Sequence, residues 1–248
     1  MVWTYTLLSV VGISLISLLG VFTLALKDKL LQKILLYLVA FSSGALLGDT
    51  FIHLLPEATT GEGFTSKVAF PLFGGILFFF VMEKILRWRH CHEVGCEDHP
   101  KHLGIMNLIG DAIHNFIDGV LIAASFLVSI PIGIATALAI IFHEIPQELG
   151  DFGVLLHSGF TKKKAIAFNF LSASFAILGS VLTLLIGNKV ANFSDAMIPF
   201  AAGGFLYIAL SDLIPELHKE EKIYKSATQF LFIILGIMLM YLLIFLEK

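Results

Sequence analysis

The sequence predicts an all-α membrane protein with eight transmembrane helices, and three observations support this prediction. Of the 248 residues, 57% are hydrophobic and 14% are charged, whereas a soluble domain carries about 25% charged residues. The mean hydropathy is +0.90. Apolar runs recur along the chain, and each is long enough for a membrane helix, which needs about 20 residues. Such unbroken runs exclude a membrane β-barrel, and 16 basic against 19 acidic residues form no basic surface for nucleic acid.

The predicted spans fill most of the chain and leave room only for short loops. The first span precedes the first charged residue, Lys27. In chain order, the spans are expected at 5–26, 34–56, 68–86, 104–129, 131–157, 165–187, 195–217 and 228–246. We therefore expect residues 1–248 to form a single transmembrane domain in the lipid bilayer.

The basic residues predict which side of the membrane each loop faces. Cytoplasmic loops of membrane proteins are enriched in Lys and Arg. All but three of the 16 basic residues lie in or beside the first, third, fifth and seventh loops, and the exceptions are Lys67, Lys189 and Lys248. This asymmetry predicts that the odd-numbered loops are cytosolic and that both termini lie outside.

The second and seventh spans share a sequence pattern. The run 41–57 resembles the run 200–216 at an offset of 159 residues without a gap, with matching Phe, Gly, Leu, Pro and Glu residues. The fourth and fifth spans show a weaker likeness at an offset of 29. Because the members of each pair cross in opposite directions, the pattern predicts inverted-topology repeats of three, two and three helices, which are common in secondary transporters.

Polar side chains cluster in the middle of the fourth and fifth spans. In each span they occupy positions i, i+1 and i+4, which lie on adjoining sides of one helical turn. The two sets are His114, Asn115 and Asp118, and His143, Glu144 and Gln147. A charged residue at mid-bilayer costs about 2.5–3.5 kcal/mol, and the sequence has no Lys or Arg between Lys101 and Lys162 to offset the carboxylates. The pattern therefore predicts a bound cation between these two helices.

The ligand types indicate which cation is bound. Imidazole nitrogen combined with carboxylate and amide oxygen suits a borderline divalent metal such as Zn²⁺, with Cd²⁺, Fe²⁺, Mn²⁺ and Co²⁺ as further candidates. A Ca²⁺ or Mg²⁺ site is expected to use oxygen ligands alone. The ion is expected as a substrate that crosses the membrane, and no catalytic cofactor is predicted.

Further polar residues extend this stripe towards both sides of the membrane as pathway or supporting residues. Towards the cytosol they are Asp111, Glu148, Asp151 and His157, and towards the outside they are Asp49, His53 and Glu57. His53 is either a ligand or an interfacial residue, and Asn169 on the sixth span is either a ligand or a contact that holds helices together. Pro146 is expected to kink the fifth span and to free a backbone carbonyl that can face the site.

The third loop, residues 88–103, is rich in histidine and cysteine. Its candidate metal ligands are His90, Cys91, His92, Cys96, His99 and His102. It contains no C-x-x-C pair, so a fixed zinc knuckle is not expected. We expect a flexible cytosolic metal-binding loop that acts as a sensor, a local buffer or an exit-side acceptor, and a His-rich linker is the alternative. Cytosolic thiols stay reduced, so no disulfide is expected.

Two of these runs resemble family signatures. The run from His114 to Gly119 (HNFIDG) and the run from His143 to Phe152 (HEIPQELGDF) resemble the fourth- and fifth-helix signatures of the ZIP family of metal transporters. The second run is similar to the H-E-x-P-H-E-x-G-D signature of its LIV-1-like branch, with Gln147 in place of the second histidine. The eight spans, the mirrored halves and the His-rich third loop agree with this family.

The resemblance implies uptake of Zn²⁺ and related divalent metals into the cytosol through a binuclear site between the fourth and fifth helices. It assigns the first metal to His114, Asp118, His143 and Gln147, and the second metal to Asn115, Asp118, Glu144 and Gln147. His53 matches a helix-2 position that can add a ligand. Because the chain lacks the long ectodomain of many eukaryotic members, we expect a prokaryotic inner-membrane (plasma-membrane) protein, and a homodimer is left open.

The expected mechanism is alternating access, in which helices 1, 4, 5 and 6 slide against helices 2, 3, 7 and 8. The first rival is an intramembrane zinc-dependent protease or hydrolase, because His143-Glu144-Ile145-Pro146-Gln147 superficially resembles H-E-x-x-H. Gln147 replaces the second histidine of that motif, so we expect a transporter and not an enzyme. A sensor that binds metal without moving it is a further alternative.

Overall fold

The computed structural model of the protein describes residues 1–23, 28–88, 100–190 and 192–246. Within these ranges the chain is helical, without strands, and eight helices are long and apolar enough to cross a membrane. In chain order they are α1 (Val2–Ile16, continued by Ser17–Leu19 and Gly20–Thr23), α2 (Asp28–Asp49, continued by Thr50–Leu54 and Leu55–Ala58), α3 (Ser66–Trp88), α4 (Pro100–Val128), α5 (Ile130–His157), α6 (Lys162–Ala173 and Phe175–Ile186), α7 (Phe193–Tyr207, continued by Ile208–Leu213 and Ile214–Leu217) and α8 (Ile223–Leu243). The prediction of eight spans in an all-α fold is confirmed.

The first span lies closer to the N-terminus than expected. The structure has the apolar span at Val2–Leu19, whereas the sequence predicts 5–26. No charged side chain precedes Lys27, so the sequence contains no charge that marks where the helix starts.

Short connections make neighbouring helices antiparallel. A single residue, Ser129, separates α4 from α5, and its hydroxyl accepts a hydrogen bond from the Ile132 N–H at 3.3 Å. This N-cap begins α5 immediately, with Pro131 in its first turn. As a result, the polar turns of α4 and α5 face each other.

Two π-helical segments interrupt the regular turns of α2 and α7. They are Thr50–Leu54 and Ile208–Leu213, and they nearly coincide at the offset of 159 residues. Each precedes a proline, Pro56 or Pro215. A proline has no N–H and crowds the carbonyl of the preceding turn, so the helix widens just before it.

Glycines let α2 and α8 pack with their backbones in contact. A Cβ atom on Gly44 would lie 2.1 Å from the Ile233 carbonyl oxygen, and one on Gly236 would lie 2.2 Å from the Phe41 carbonyl oxygen. Small residues at such positions are typical of helix association in membranes.

The helices α3 and α7 pack in the same reciprocal manner. A Cβ on Gly203 would lie 2.0 Å from the Leu72 carbonyl oxygen, and one on Gly75 would lie 2.1 Å from the Phe200 carbonyl oxygen. Gly203 is the residue that matches Gly44 at the offset of 159. The α7–α3 pair therefore repeats the α2–α8 pair.

The helices α4 and α5 occupy the centre of the bundle. The helices α1, α6 and α7 pack on α4, and the helices α1, α2 and α6 pack on α5. Their fully buried apolar side chains, among them Leu121, Phe126 and Ile140, meet Leu46 of α2 and Phe205 of α7 in one core. This core holds the polar turns of α4 and α5 inside the protein, away from lipid.

Candidate metal centre

Four polar side chains of α4 and α5 converge on one point. The Nε2 atoms of His114 and His143 lie 3.2 Å apart. His143 Nε2 lies 3.3 Å from both Asp118 Oδ2 and Glu144 Oε1, and His114 Nε2 lies 3.6 and 3.4 Å from these oxygens. All four ligand atoms lie within 4.8 Å of one another. Two side chains one turn apart on α4 (His114 and Asp118) and two adjacent side chains on α5 (His143 and Glu144) thus form a single cluster.

The charges of this cluster are buried. Asp118 and Glu144 are 0% exposed, and within the described residues the two imidazoles at 3.3–3.6 Å are the nearest donors to their carboxylate oxygens. Buried carboxylates with only such long contacts are costly unless a positive charge neutralises them. Two imidazoles and two carboxylates around one point match the ligands of a borderline divalent metal.

A second group of carboxylates adjoins the first through Glu144. One oxygen from each of Asp111, Glu144 and Glu148 lies within 4.8 Å of the others. The sequence interpretation treats Asp111 and Glu148 as pathway or supporting residues. The structure brings both beside the predicted ligand Glu144, because this turn of α4 lies at the same level along the helix pair as this turn of α5.

The amide side chains near the site make specific contacts. Asn115 Nδ2 donates to Asp111 Oδ1 at 2.8 Å, and Gln147 Nε2 donates to the same oxygen at 3.4 Å. Asn169 Nδ2 of α6 donates to Glu148 Oε2 at 2.6 Å and to the Ser17 carbonyl at 3.4 Å. These contacts link α6 to α5 and α1, and the ligand role of Asn169 stays a prediction.

The outer polar residues of α2 belong to neither group of clustered ligands. His53 is buried, and its Nε2 lies 2.9 Å from the Met240 carbonyl oxygen of α8. Asp49 is 0% exposed and Glu57 is half-buried. These residues lie in the C-terminal part of α2, and none of them lines the cavity described next.

A cavity of about 380 Å³ leads from the two histidines towards the side where α3, α5 and α7 end. Its polar lining comprises Glu83, Asn107, Asp111, His114, His143, Gln147, Asp151, Tyr207 and Asp212. Asp212 is exposed, so the cavity reaches the protein surface. His157, predicted as a pathway residue, is exposed in the last turn of α5 and does not line this cavity.

Sequence reasoning missed four polar residues of the cavity wall, Glu83, Asn107, Tyr207 and Asp212. The Tyr207 hydroxyl of α7 donates to Glu83 Oε2 of α3. The internal repeat offers a signal for one of them, because Asp212 matches His53 at the offset of 159. Glu83 lies near the end of its span and is indistinguishable in sequence from an interfacial carboxylate.

The His- and Cys-rich loop lies outside the described residues. This applies to His90, Cys91, His92, Cys96 and His99. His102 lies in the first turn of α4, where the structure describes the backbone but not this side chain. The metal-binding role of residues 88–103 therefore stays a prediction.

Comparison with known proteins agrees with this architecture. A family model described as ZIP zinc transporter matches residues 1–103 and 90–244. The chain is 32% identical to the zinc transporter zipt-7.2 of Caenorhabditis elegans, over 83% of this chain and 57% of that protein. It is 37% identical to the zinc transporter ZIP13 of Pongo abelii (83% and 65%) and 33% identical to the zinc transporter ZIP13 homolog of Drosophila melanogaster (96% and 88%).

The chain spans less than two thirds of the length of the first two of these relatives. The family match nevertheless covers nearly all of the chain, including every helix that contributes to the centre. Its members are transporters rather than enzymes. Together with eight apolar helices around a buried histidine and carboxylate cluster, these matches show that the chain is a multi-pass membrane protein that belongs to the ZIP family of zinc transporters.

Proposed function

We propose that this protein moves Zn²⁺ and related divalent metals through the membrane into the cytosol, with the metal bound midway between α4 and α5. The observation that carries this proposal is the cluster of His114, Asp118, His143 and Glu144, buried within two helices that contain no Lys or Arg along their apolar spans. The matched relatives are named zinc transporters.

The ligand chemistry supports Zn²⁺ as the principal substrate. Two imidazole nitrogens and two carboxylate oxygens suit Zn²⁺, and the same set accepts Cd²⁺, Fe²⁺, Mn²⁺ or Co²⁺ with different affinity. The site contains no thiolate, so it binds soft metals less tightly and releases them faster. A substrate site must bind the ion and also let it go, so moderate affinity favours transport.

A second metal completes the proposed binuclear site. The family resemblance implies Asn115, Asp118, Glu144 and Gln147 as its ligands. In support, Asn115 Oδ1 and Glu144 Oε2 are buried without a hydrogen-bond partner among the described residues, and Glu144 Oε1 has only the long contacts of 3.3–3.4 Å with the two histidines.

The metal path runs from the outer residues of α2 to the cavity. We infer that the ion enters past Asp49, His53 and Glu57, loses water between His114 and His143, and leaves through the cavity. The cavity lining supports Asp111, Asp151 and Asp212 as exit contacts. The concentration of basic residues at the same side supports a cytosolic exit.

Helix packing supports alternating access between two blocks. The pairs α2–α8 and α3–α7 are joined by backbone contact at glycines and would form one block. In the other block, α4 contacts α6 in the same way at Gly119 and Gly179, and α1 packs on α5 and α6. The matching π-helical segments of α2 and α7 support the inverted repeat on which this mechanism depends.

The remaining features of the proposal concern the setting of the protein. We place it in the plasma (inner) membrane, with both termini outside, and a homodimer is compatible with this arrangement. Residues 88–103 would bind metal at the cytosolic side as a sensor, buffer or acceptor. The intramembrane hydrolase is not favoured, because the family match is to transporters and Gln147 contacts Asp111.

The decisive experiment is uptake of radiolabelled Zn²⁺ by proteoliposomes that contain the purified full chain. We expect saturable uptake that protein-free liposomes lack, with Cd²⁺, Fe²⁺ and Mn²⁺ as graded competitors. Zinc binding without uptake would contradict transport and would favour the sensor. Cleavage of a membrane-spanning peptide that depends on zinc would favour the hydrolase.

A further inference from the structure

We propose that three lysines at the start of α6 bind the phosphate-bearing headgroup of an anionic phospholipid. These residues, Lys162, Lys163 and Lys164, are called the lysine patch below. The proposal goes beyond metal transport, because it concerns the surface where α6 enters the membrane. It rests on the proposed function only for the leaflet, which the proposed topology makes the cytosolic one, where anionic lipids attract basic segments.

The lysine patch is a concentrated positive charge that no carboxylate compensates. Lys162, Lys163 and Lys164 are all exposed, and none of them forms an ion pair within the described residues. Lys219, in contrast, is paired with Glu216. Basic side chains at a membrane surface attract anionic lipids, and each one strengthens the binding about five-fold. Three adjacent lysines therefore provide a strong preference for an anionic headgroup.

The lysine patch also opposes the electrostatics of the helix that it begins. The N-terminal end of a helix carries a partial positive charge and exposes N–H groups, so acidic residues are favoured there. The first turn of α6 contains no acidic residue, and its N-cap, Thr161, accepts a hydrogen bond from the Lys164 N–H at 3.4 Å. A phosphate from outside the chain can offset both the ammonium charges and the charge of the helix end.

A tight turn between α5 and α6 holds the lysine patch in place. The Gly159 N–H donates to the Leu156 carbonyl at 3.0 Å, and the Phe160 N–H donates to the Leu155 carbonyl at 3.1 Å. With Gly159 at a φ of +82°, these bonds form a Schellman motif that ends α5. The ring of Phe160 then packs edge-on against the ring of Phe168 in α6, with 5.7 Å between the centroids. Because α6 starts from a fixed turn, less conformational entropy is lost when a headgroup binds.

The apolar surface beside the lysine patch favours a lipid over a soluble anion. Lys164, Phe168 and Leu171 occupy positions i, i+4 and i+7, so they share one face of α6. Phe168 is 37% exposed and Leu171 is 57% exposed, and both lie within the apolar span Lys162–Ile186. A phospholipid whose phosphate contacts the lysines can lay its acyl chains along these two side chains. A free phosphate gains nothing from them, and the lysines repel the choline of a zwitterionic lipid.

Titration of phosphatidylglycerol into the purified full chain in detergent, followed by native mass spectrometry, tests this inference. We expect phosphatidylglycerol to bind about ten-fold or more tightly than phosphatidylcholine. A variant that combines Lys162→Gln, Lys163→Gln and Lys164→Gln should lose most of this preference. The matched control is Lys219→Gln, an exposed lysine of the seventh loop whose charge is already paired with Glu216, and it should keep the preference.

Further measurements distinguish the lysine patch from its alternatives. Replacement of the same three lysines by arginine keeps the charge and should keep the preference, which separates loss of binding from loss of folding. An unchanged preference in the glutamine variant, or an equal loss in Lys219→Gln, would overturn the inference.

Inorganic phosphate is the probe for a soluble ligand. We expect it to leave phosphatidylglycerol bound when the two are present at equal concentration, and full displacement would overturn the assignment to a lipid. The binding is measured at equilibrium and without zinc. Absence of zinc uptake would therefore contradict the proposed function and leave this result unaffected.

Discussion

The hydroxyl of Ser42 has one proton and two acceptors, the Leu38 carbonyl of its own helix at 2.7 Å and the Phe142 carbonyl of α5 at 2.5 Å. The contact with the Phe142 carbonyl joins α2 to α5. This carbonyl would bond to the N–H of residue 146 in a regular helix, but Pro146 has none. The carbonyl freed by Pro146 is therefore directed to α2 and not to the metal site. The bond crosses the boundary between the two helix blocks that the proposed mechanism moves.

We expect Ser42→Ala to lower the free energy of unfolding by about 1 kcal/mol, because it leaves the Phe142 carbonyl buried without a donor. Unfolding of the purified variant in one detergent measures this change. Ser43→Ala is the matched control, since the Ser43 hydroxyl donates at 2.8 Å to Val39 of its own helix, whose carbonyl keeps its helical partner. Equal losses in the two variants would show that the inter-helix bond contributes nothing.

The helices were predictable because apolar length alone determines a membrane span. Hydropathy does not predict the geometry within a helix, such as a kink or a π-helical turn. Pro56 and Pro215 are visible in the sequence, but whether a helix kinks, breaks or widens before a proline depends on which neighbours satisfy the freed carbonyls. For the same reason, Pro146 lies inside a continuous α5, where Ser42 of another helix supplies the missing donor.

The metal cluster was predictable from spacing, but its surroundings were not. Positions i, i+1 and i+4 define which side chains of one helix converge, and the short connection at Ser129 makes the two helices antiparallel. How far α4 is shifted along α5 depends on the packing of the core, and a local sequence pattern does not predict this shift. The proximity of Asp111 to Glu144 and Glu148 depends on that shift, as does the position of Asn169 against Glu148.

We expect His143→Ala to reduce zinc uptake into proteoliposomes to the level of protein-free liposomes. The imidazole of His143 lies 3.2–3.3 Å from three other members of the cluster, so its removal takes away a central ligand. His218→Ala, at an exposed histidine beyond the last turn of α7, should transport normally. Uptake that persists in His143→Ala, with normal insertion into the membrane, would refute the site assignment.

Gln147→His should change which metals compete with zinc. Gln147 lines the cavity and its amide contacts Asp111, so an imidazole at this position would add a nitrogen ligand beside the cluster. Nitrogen ligands favour Zn²⁺ and Cd²⁺ over Mn²⁺. We therefore expect Mn²⁺ to compete several-fold less well in the variant than in the original chain, as measured by inhibition of zinc uptake. An unaltered competition profile would argue against direct contact of residue 147 with the ion.

Gly203→Ala should force α3 and α7 apart and destabilise the protein. The new methyl group would lie 2.0 Å from the Leu72 carbonyl oxygen, which belongs to a helix backbone and cannot move alone. Overpacking of this kind costs about 1–3 kcal/mol, to be measured as a lower free energy of unfolding in detergent.

The matched control for this substitution is Gly12→Ala in α1, where a Cβ meets nothing within 4 Å. This variant should be as stable as the original chain or more stable by up to about 1 kcal/mol, because alanine favours a helix. If Gly203→Ala is tolerated as well as Gly12→Ala, α3 and α7 are not locked by backbone contact. In that case they cannot be assumed to move as one block against α4 and α5.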